Sequence, residues 1–246
     1  LAKNDKRFYL IGDSHAGHFY FMIKKVLAES KYQLGFINTN SQKDFPHIFF
    51  NENTIFSQPR IISEILENSV KGDVLAISFH RGMFNKMRDE HVGKNSFFKV
   101  NNKKYQFAKI NLTNFISKLK EKEIKVILIK DTPLLKTNTP ISTCILQEKF
   151  LDWNSCDVTK TEDDLTRAPQ DNLFELIQDK FVNVYLWDPR ENMLNKDSNY
   201  SYRTNNDFQI MADQHHITLD YSMKLFPEFR NFLIKNEIIS FNDNDS

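Results

Sequence analysis

Residues 8–16 read Phe8-Tyr9-Leu10-Ile11-Gly12-Asp13-Ser14-His15-Ala16. Phe8 to Ile11 is a short β-forming apolar run. A helical pattern follows from about His15 to Ala28, in which Ala16, Phe19, Tyr20, Ile23, Val26 and Leu27 fall at helical spacing. The segment is therefore a strand, a turn and a helix. In open parallel sheets, ligands bind beyond the carboxyl ends of the strands, which makes the Gly12-Asp13-Ser14 turn a place for chemistry. Ser14 stands at the amino end of the helix, where free N–H groups and the positive end of the helix dipole can stabilise an oxyanion. Its residue type equally suits a plain helix N-cap.

The same alternation continues outward from this unit. Gln33 to Ile37 reads as a second strand. Ser57 as N-cap and Pro59 in the first turn open a helix carrying Ile61, Ile62, Ile65, Leu66 and Val70. Asp73 to Phe79 is a third strand, entered through Lys71-Gly72. After a polar loop, Phe107, Ile110, Phe115, Ile116 and Leu119 mark a helix. Ile124 to Ile129 is a continuous apolar run of the kind buried on both faces of a sheet. Leu173 to Phe181 reads as helix, Val182 to Trp187 as strand, and Leu219 to Ile234 as a closing helix broken or kinked at Pro227. Alternating β and α elements predict a three-layer α/β/α architecture around a central parallel sheet. The loops that follow its strands begin at Gly12, His80, Lys130 and Asp188.

The chain of 246 residues is 40% apolar and 26% charged, with 33 Lys+Arg against 32 Asp+Glu. This composition suits one folded domain over residues 1–237 with a disordered tail at 238–246, and excludes a largely disordered chain. A formal net charge of +1 offers no electrostatic footprint for nucleic acid. No window approaches 18 uninterrupted apolar residues, so no membrane span is expected within these residues. The start at Leu1, with no apolar signal region before Phe8, reads as a piece whose targeting information lies elsewhere.

Near the other end stands Asp213-Gln214-His215-His216-Ile217-Thr218, just before the last helix. An aspartate three residues ahead of a histidine can fix the imidazole tautomer while the other ring nitrogen faces a nucleophile. Alone this pattern is weak; with the Gly-Asp-Ser turn after the first strand it is much stronger. The pair of blocks resembles the SGNH (GDSL-type) hydrolase superfamily, and most closely the extracytoplasmic SGNH domains attached to acyltransferase-3 membrane proteins that O-acetylate cell-surface glycans. Gly12-Asp13-Ser14-His15-Ala16 is similar to their first block and Asp213-x-x-His216-Ile217-Thr218 to their last, over about residues 7–225. The resemblance implies a flavodoxin-like fold, with Ser14 as nucleophile, His216 as general base and Asp213 as its orienting partner. Gly12, Asp13 and His15 would support the motif.

The middle blocks depart from the superfamily. Where a Gly and a Gly-x-Asn-Asp are usual, this chain has Ser78-Phe79-His80-Arg81-Gly82 and Lys130-Asp131-Thr132-Pro133. The asparagine oxyanion donor is missing. Ser14, Arg81 and Gly82 are then the expected oxyanion hole, with a surface ion pair as the ordinary alternative for Arg81. Loss of one such donor typically costs about 10²- to 10³-fold in rate.

His15, His18, His215 and His216 raise the question of a metal. No carboxylate or cysteine completes a site by spacing, so none is expected, and no cofactor is required. Cys144 and Cys156 suit either two core thiols or a staple. The resemblance implies a disulfide and an oxidising compartment.

The expected activity is O-acyl transfer, most simply O-acetyl transfer, to a glycan hydroxyl through an acyl-serine. The acyl group would come from a membrane acyltransferase domain absent from this chain, placing the domain extracytoplasmic and membrane-tethered. Two alternatives stay open: a carbohydrate O-acetyl esterase with the same three residues, and a non-catalytic glycan-binding module. Phe84, Phe97, Phe98, Tyr105, Tyr200, Tyr202 and Phe208 are candidate sugar-stacking aromatics, or simple packing of loops onto the body.

Overall fold

The computed structural model describes residues 6–38, 46–52, 60–84, 102–136, 141–151, 156–204, 206 and 208–241. Its centre is a parallel sheet of β1 (Lys6–Gly12), β2 (Tyr32–Asn38), β3 (Val74–Ser78), β4 (Lys125–Ile129) and β6 (Val184–Trp187), in the order β2-β1-β3-β4-β6. β5 (Val158–Thr159) and β7 (Asn199–Tyr200) form a separate antiparallel pair. The central strands are the apolar runs of the sequence: every residue of β3 is buried, as a strand covered on both faces requires.

Two cores lie on opposite faces of this sheet. On one, α1 (Ser14–Leu27), α6 (Leu219–Lys224) and α7 (Phe226–Lys235) pack Phe19, Ile23, Val26, Phe229 and Leu233 against Phe8, Leu10 and Ala76. On the other, α2 (Arg60–Asn68), α3 (Asn102–Glu121) and α5 (Lys160–Lys180) pack Ile65, Leu112, Phe115 and Phe174 against Leu75, Ile77 and Leu128. This is the predicted three-layer α/β/α fold.

Several boundaries differ from expectation. Val70 and Val182 are exposed, beyond the end of α2 and before the start of β6. α5 begins at Lys160 rather than near Leu173, started by a capping box in which Thr159 and Glu162 satisfy each other's backbone N–H groups. The closing helix is two helices, divided at Leu225 with Pro227 in the first turn of the second. Residues 238–241, expected to belong to a disordered tail, are placed on the body. Ile238 and Ile239 are buried, and Phe241 bridges to Ser30, because this segment covers the end of the α1–α7 core. Ser57, Pro59, Phe97, Phe98 and 242–246 lie outside the described residues.

α4 (Ile141–Leu151) packs through Ile141 and Cys144 and leaves Leu146 and Phe150 exposed. Cys144 is disulfide-bonded to buried Cys156, so the staple reading holds and two core thiols do not. No helix among the described residues is long and apolar enough to cross a membrane.

Candidate active site

The site is built where β1, β3 and β4 end. β1 runs into Gly12, which passes so close to β3 that a Cβ there would lie 1.7 Å from the Ser78 carbonyl oxygen. Only glycine permits this approach. Asp13 then caps α1: Oδ1 accepts from the His15 backbone N–H at 2.9 Å, and Oδ2 accepts from the His80 N–H at 3.0 Å, fastening the first loop to the third-strand loop. The N-cap is therefore Asp13. Ser14 is left at the first helical position, exposed, with an N–H that has no carbonyl within the helix to receive it.

The partner segment is a tight excursion ahead of α6. Met211 pairs with Ile217, the Ala212 N–H donates to the His216 carbonyl at 2.7 Å, and Thr218 caps α6 through the Tyr221 N–H. Three bonds tie the excursion to the loop after β4: the Leu135 N–H donates to the Gln214 carbonyl, the Gln214 side-chain amide donates to the Leu135 carbonyl, and the Thr132 hydroxyl donates to the His215 carbonyl.

This folding brings Ser14, His216 and Asp213 together across 202 positions of sequence. His216 Nε2 lies 2.9 Å from Ser14 Oγ, and His216 Nδ1 lies 2.6 Å from Asp213 Oδ2. The other Asp213 oxygen accepts from the backbone N–H groups of His215 and His216 at 2.9 and 2.8 Å. Desolvation opposes ionisation of Asp213, but the His216 ring and these two N–H groups hold its carboxyl down at about 2. A carboxylate, imidazole and hydroxyl joined in this order is the arrangement that makes a hydroxyl nucleophilic near neutral pH.

Arg81 takes a different place from the one expected. Its guanidinium is only 2% exposed and is consumed from within. Nε donates to Asp131 at 3.1 Å, one terminal nitrogen donates to Asp163 at 2.6 Å and to Thr166, and the other donates to the Thr132 carbonyl. Its backbone N–H donates to Asp131 at 2.8 Å. Every one of these bonds faces the protein, so Arg81 is not a surface ion pair, and its guanidinium is held from within by the loops and helix around it. It locks the loops after β3 and β4 onto α5, helped by Gln170, which accepts from the Asp131 N–H and donates to the Phe79 carbonyl. Gly82 lies in the following turn, with the His80 ring only 2.6 Å from where its Cβ would be.

Asp131, which takes the place of the missing asparagine block, is also bound to His15: His15 Nδ1 lies 2.6 Å from Asp131 Oδ1, and both are 1% exposed. Burial opposes either charge, but the two charges favour each other, raising the His15 pKa and, with Arg81, holding Asp131 well below its usual range. His15 Nε2 meets His215 Nδ1 at 3.1 Å. Burial pushes His215 down to about 4 and His18 to about 2, and His80 well below its ordinary value. Five imidazoles therefore crowd one region, and sequence reading, which weighed four of them together, did not set His80 beside them. His80 was visible only as the first residue after a buried strand.

Of the aromatics, Phe84, Tyr200 and Tyr202 are buried and serve packing rather than sugar contact. Tyr105 packs beside Phe84 and Phe208 is half-buried under Lys224.

A family model described as "SGNH domain (fused to AT3 domains)" matches residues 1–231. No curated protein matches the sequence. Among solved structures, the periplasmic domain of a lipopolysaccharide acetyltransferase from Salmonella ser. Paratyphi A superposes with a TM-score of 0.60 at 19% identity, covering 94% of this chain and 85% of that one. A GDSL-like lipase from Bacteroides thetaiotaomicron gives 0.47 at 14% identity, over 97% and 90% of the two chains. An acetyl xylan esterase gives 0.49 at 15% identity, over 92% and 98%. The first of these likenesses establishes a shared fold.

Proposed function

Because the chain belongs to the family of SGNH domains fused to AT3 domains, we propose that it is the acyl-transferring domain of a membrane acyltransferase, moving an acetyl group to a hydroxyl of a cell-surface glycan through Ser14. The observation that carries this reading is the unbroken Ser14–His216–Asp213 hydrogen-bond chain.

In the first half-reaction Ser14 Oγ forms a bond to the acetyl carbonyl carbon while His216 Nε2 takes the serine proton. Asp213, held ionised, stabilises the imidazolium. The oxyanion rests on the Ser14 N–H, with Gly82 as the second donor, in a turn kept beside it by the Asp13–His80 bond. The tetrahedral species collapses as the donor's leaving group departs with the proton from His216. In the second half-reaction a sugar hydroxyl gives its proton to His216 as it attacks the acetyl-serine, and the tetrahedral species collapses as His216 returns that proton to the departing Ser14 Oγ. The AT3 partner would supply the acetyl donor, and the work would take place on the extracytoplasmic side. The family description supports this assignment, as does the shared fold with a periplasmic domain that belongs to a lipopolysaccharide acetyltransferase.

The exposure of Ser14 favours a second reading, in which water takes the place of the sugar and the domain is an esterase. An aryl acetate supplied with and without candidate glycans separates the two. Transfer predicts acetylated sugar formed at the expense of acetate, with Ser14→Ala inactive in both. Acetate release unchanged by every acceptor supports the esterase, and turnover that survives Ser14→Ala refutes both.

A further inference from the structure

Three imidazoles beside Ser14 converge in a way that the proposed acyl transfer does not use. His15 Nε2 and His215 Nδ1 face each other at 3.1 Å, and His15, His215 and His216 each offer a ring nitrogen within 4.8 Å of the others. Two facing ring nitrogens at that distance need one shared proton between them. A cation that accepts both lone pairs fills the same gap. Nitrogens bound to one tetrahedral zinc lie ~3.3 Å apart, which the first pair already meets. His216 completes the set by a modest turn of its ring.

The outer contacts also have the form of a metal site. Ligating histidines ordinarily donate their second ring nitrogen to a carboxylate, which fixes the ring and raises its basicity. Here His15 Nδ1 is on Asp131 and His216 Nδ1 is on Asp213, both at 2.6 Å. Each of those carboxylates is anchored in turn, by Arg81 and by backbone N–H groups respectively. Ser14 Oγ, 2.9 Å from His216 Nε2, or a water stands where a fourth ligand belongs. Two further buried rings, His18 and His80, border the cluster with nitrogens that have no hydrogen-bond partner among the described residues.

We propose that His15, His215 and His216 form a binding site for a divalent cation of the zinc type, and that its occupation silences Ser14 by withdrawing His216 from the proton relay. Imidazole donors without sulfur or extra carboxylates suit zinc, copper or nickel rather than magnesium or calcium. The cation would be an inhibitor, not a participant.

The test is calorimetric titration of the chain with zinc chloride, paired with cobalt substitution, whose visible absorption reports tetrahedral nitrogen ligation independently of activity. The expected result is one zinc per chain, bound with similar affinity by Ser14→Ala and weakened by roughly 10- to 100-fold or more in His215→Gln. His15 is buried and its replacement endangers folding; His215 is only half-buried, so His215→Gln keeps the experiment decisive once its circular dichroism matches wild type. Absence of saturable binding overturns the proposal, as does binding that His215→Gln leaves unchanged, which would mark an adventitious surface ion. Inhibition of aryl acetate turnover at the same zinc concentration, reversed by a chelator, is the expected functional counterpart. Stoichiometric binding through His215 without inhibition would keep the site but refute the silencing.

Discussion

Ser14 and Arg81 stand on two loops that the Asp13–His80 bond joins, and they are opposite in kind. Ser14 is exposed, and among the described residues its side-chain hydroxyl meets His216. Arg81 is buried and makes bonds only inward, so its removal should be read in stability rather than in catalysis. Taking away one partner of a buried ion pair leaves a charge without compensation and typically costs about 3–5 kcal/mol. Arg81→Met should therefore lower the unfolding free energy in urea titration by about 3 kcal/mol, the lower end of that range, since Asp131 and Asp163 each lose one partner while His15 stays on the first and Arg167 and Arg190 on the second. A variant of unchanged stability but much reduced turnover would return Arg81 to the oxyanion hole. Asp213→Asn is the complementary case. It keeps the shape but loses the anion that fixes the His216 tautomer, and kcat should fall by roughly 10³- to 10⁴-fold with little change in Tm.

At the scale of elements, the turn after β1 works only because Gly12 allows β1 and β3 to touch. Gly12→Ala should give little soluble folded protein, judged by circular dichroism of the purified chain, because the added methyl meets a backbone carbonyl that cannot withdraw. The disulfide fastens α4 to the segment entering β5 across 12 residues. Reduction should cost about 3 kcal/mol, the chain-entropy value for a loop near this size, measurable as a lower urea midpoint with dithiothreitol. An unchanged midpoint would mean that the segment is held without the bond. The strands were readable from sequence because burial on both faces leaves unbroken apolar runs, as at Val74–Ser78 and Lys125–Ile129. The helices were less so. α4 spreads apolar residues around its axis, leaving Leu146 and Phe150 in solvent. The first half of α5 is polar and contains Pro169, although Thr159 and Glu162 carried a capping signature. Ser14, Asp213 and His216 stood out by local motif. The ionic framework behind them did not, because it joins residues 50, 82 and 116 positions apart, a relation that no spacing rule encodes.

For the whole molecule, the crowded imidazoles set the response to acid. His18, His80 and His215 titrate in the folded state below the ordinary value of 6.5, chiefly because burial penalises their charged forms. Below pH 6.5 the unfolded chain therefore binds these protons first, and folding stability drops as pH falls toward the folded values. His15 acts in the opposite sense, since its raised pKa adds stability that is present at low pH and lost as pH rises through the folded value. Three depressed groups against one raised group predict a net fall in Tm between pH 7 and pH 5 by scanning calorimetry. His18→Gln should flatten that fall; a Tm that rises over this interval would show that the rings are charged in the folded state.

All of this presumes that a hydroxyl and an imidazole from opposite ends of the chain act as one unit, and the most direct test is to trap what that unit makes. The chain is mixed with an aryl acetate, quenched in acid, digested and examined by mass spectrometry. The account predicts one added acetyl group on the peptide bearing Ser14, abolished in Ser14→Ala and slowed by several orders of magnitude in His216→Ala. Acetyl release without any labelled Ser14, or labelling that proceeds unchanged without the His216 imidazole, would contradict it.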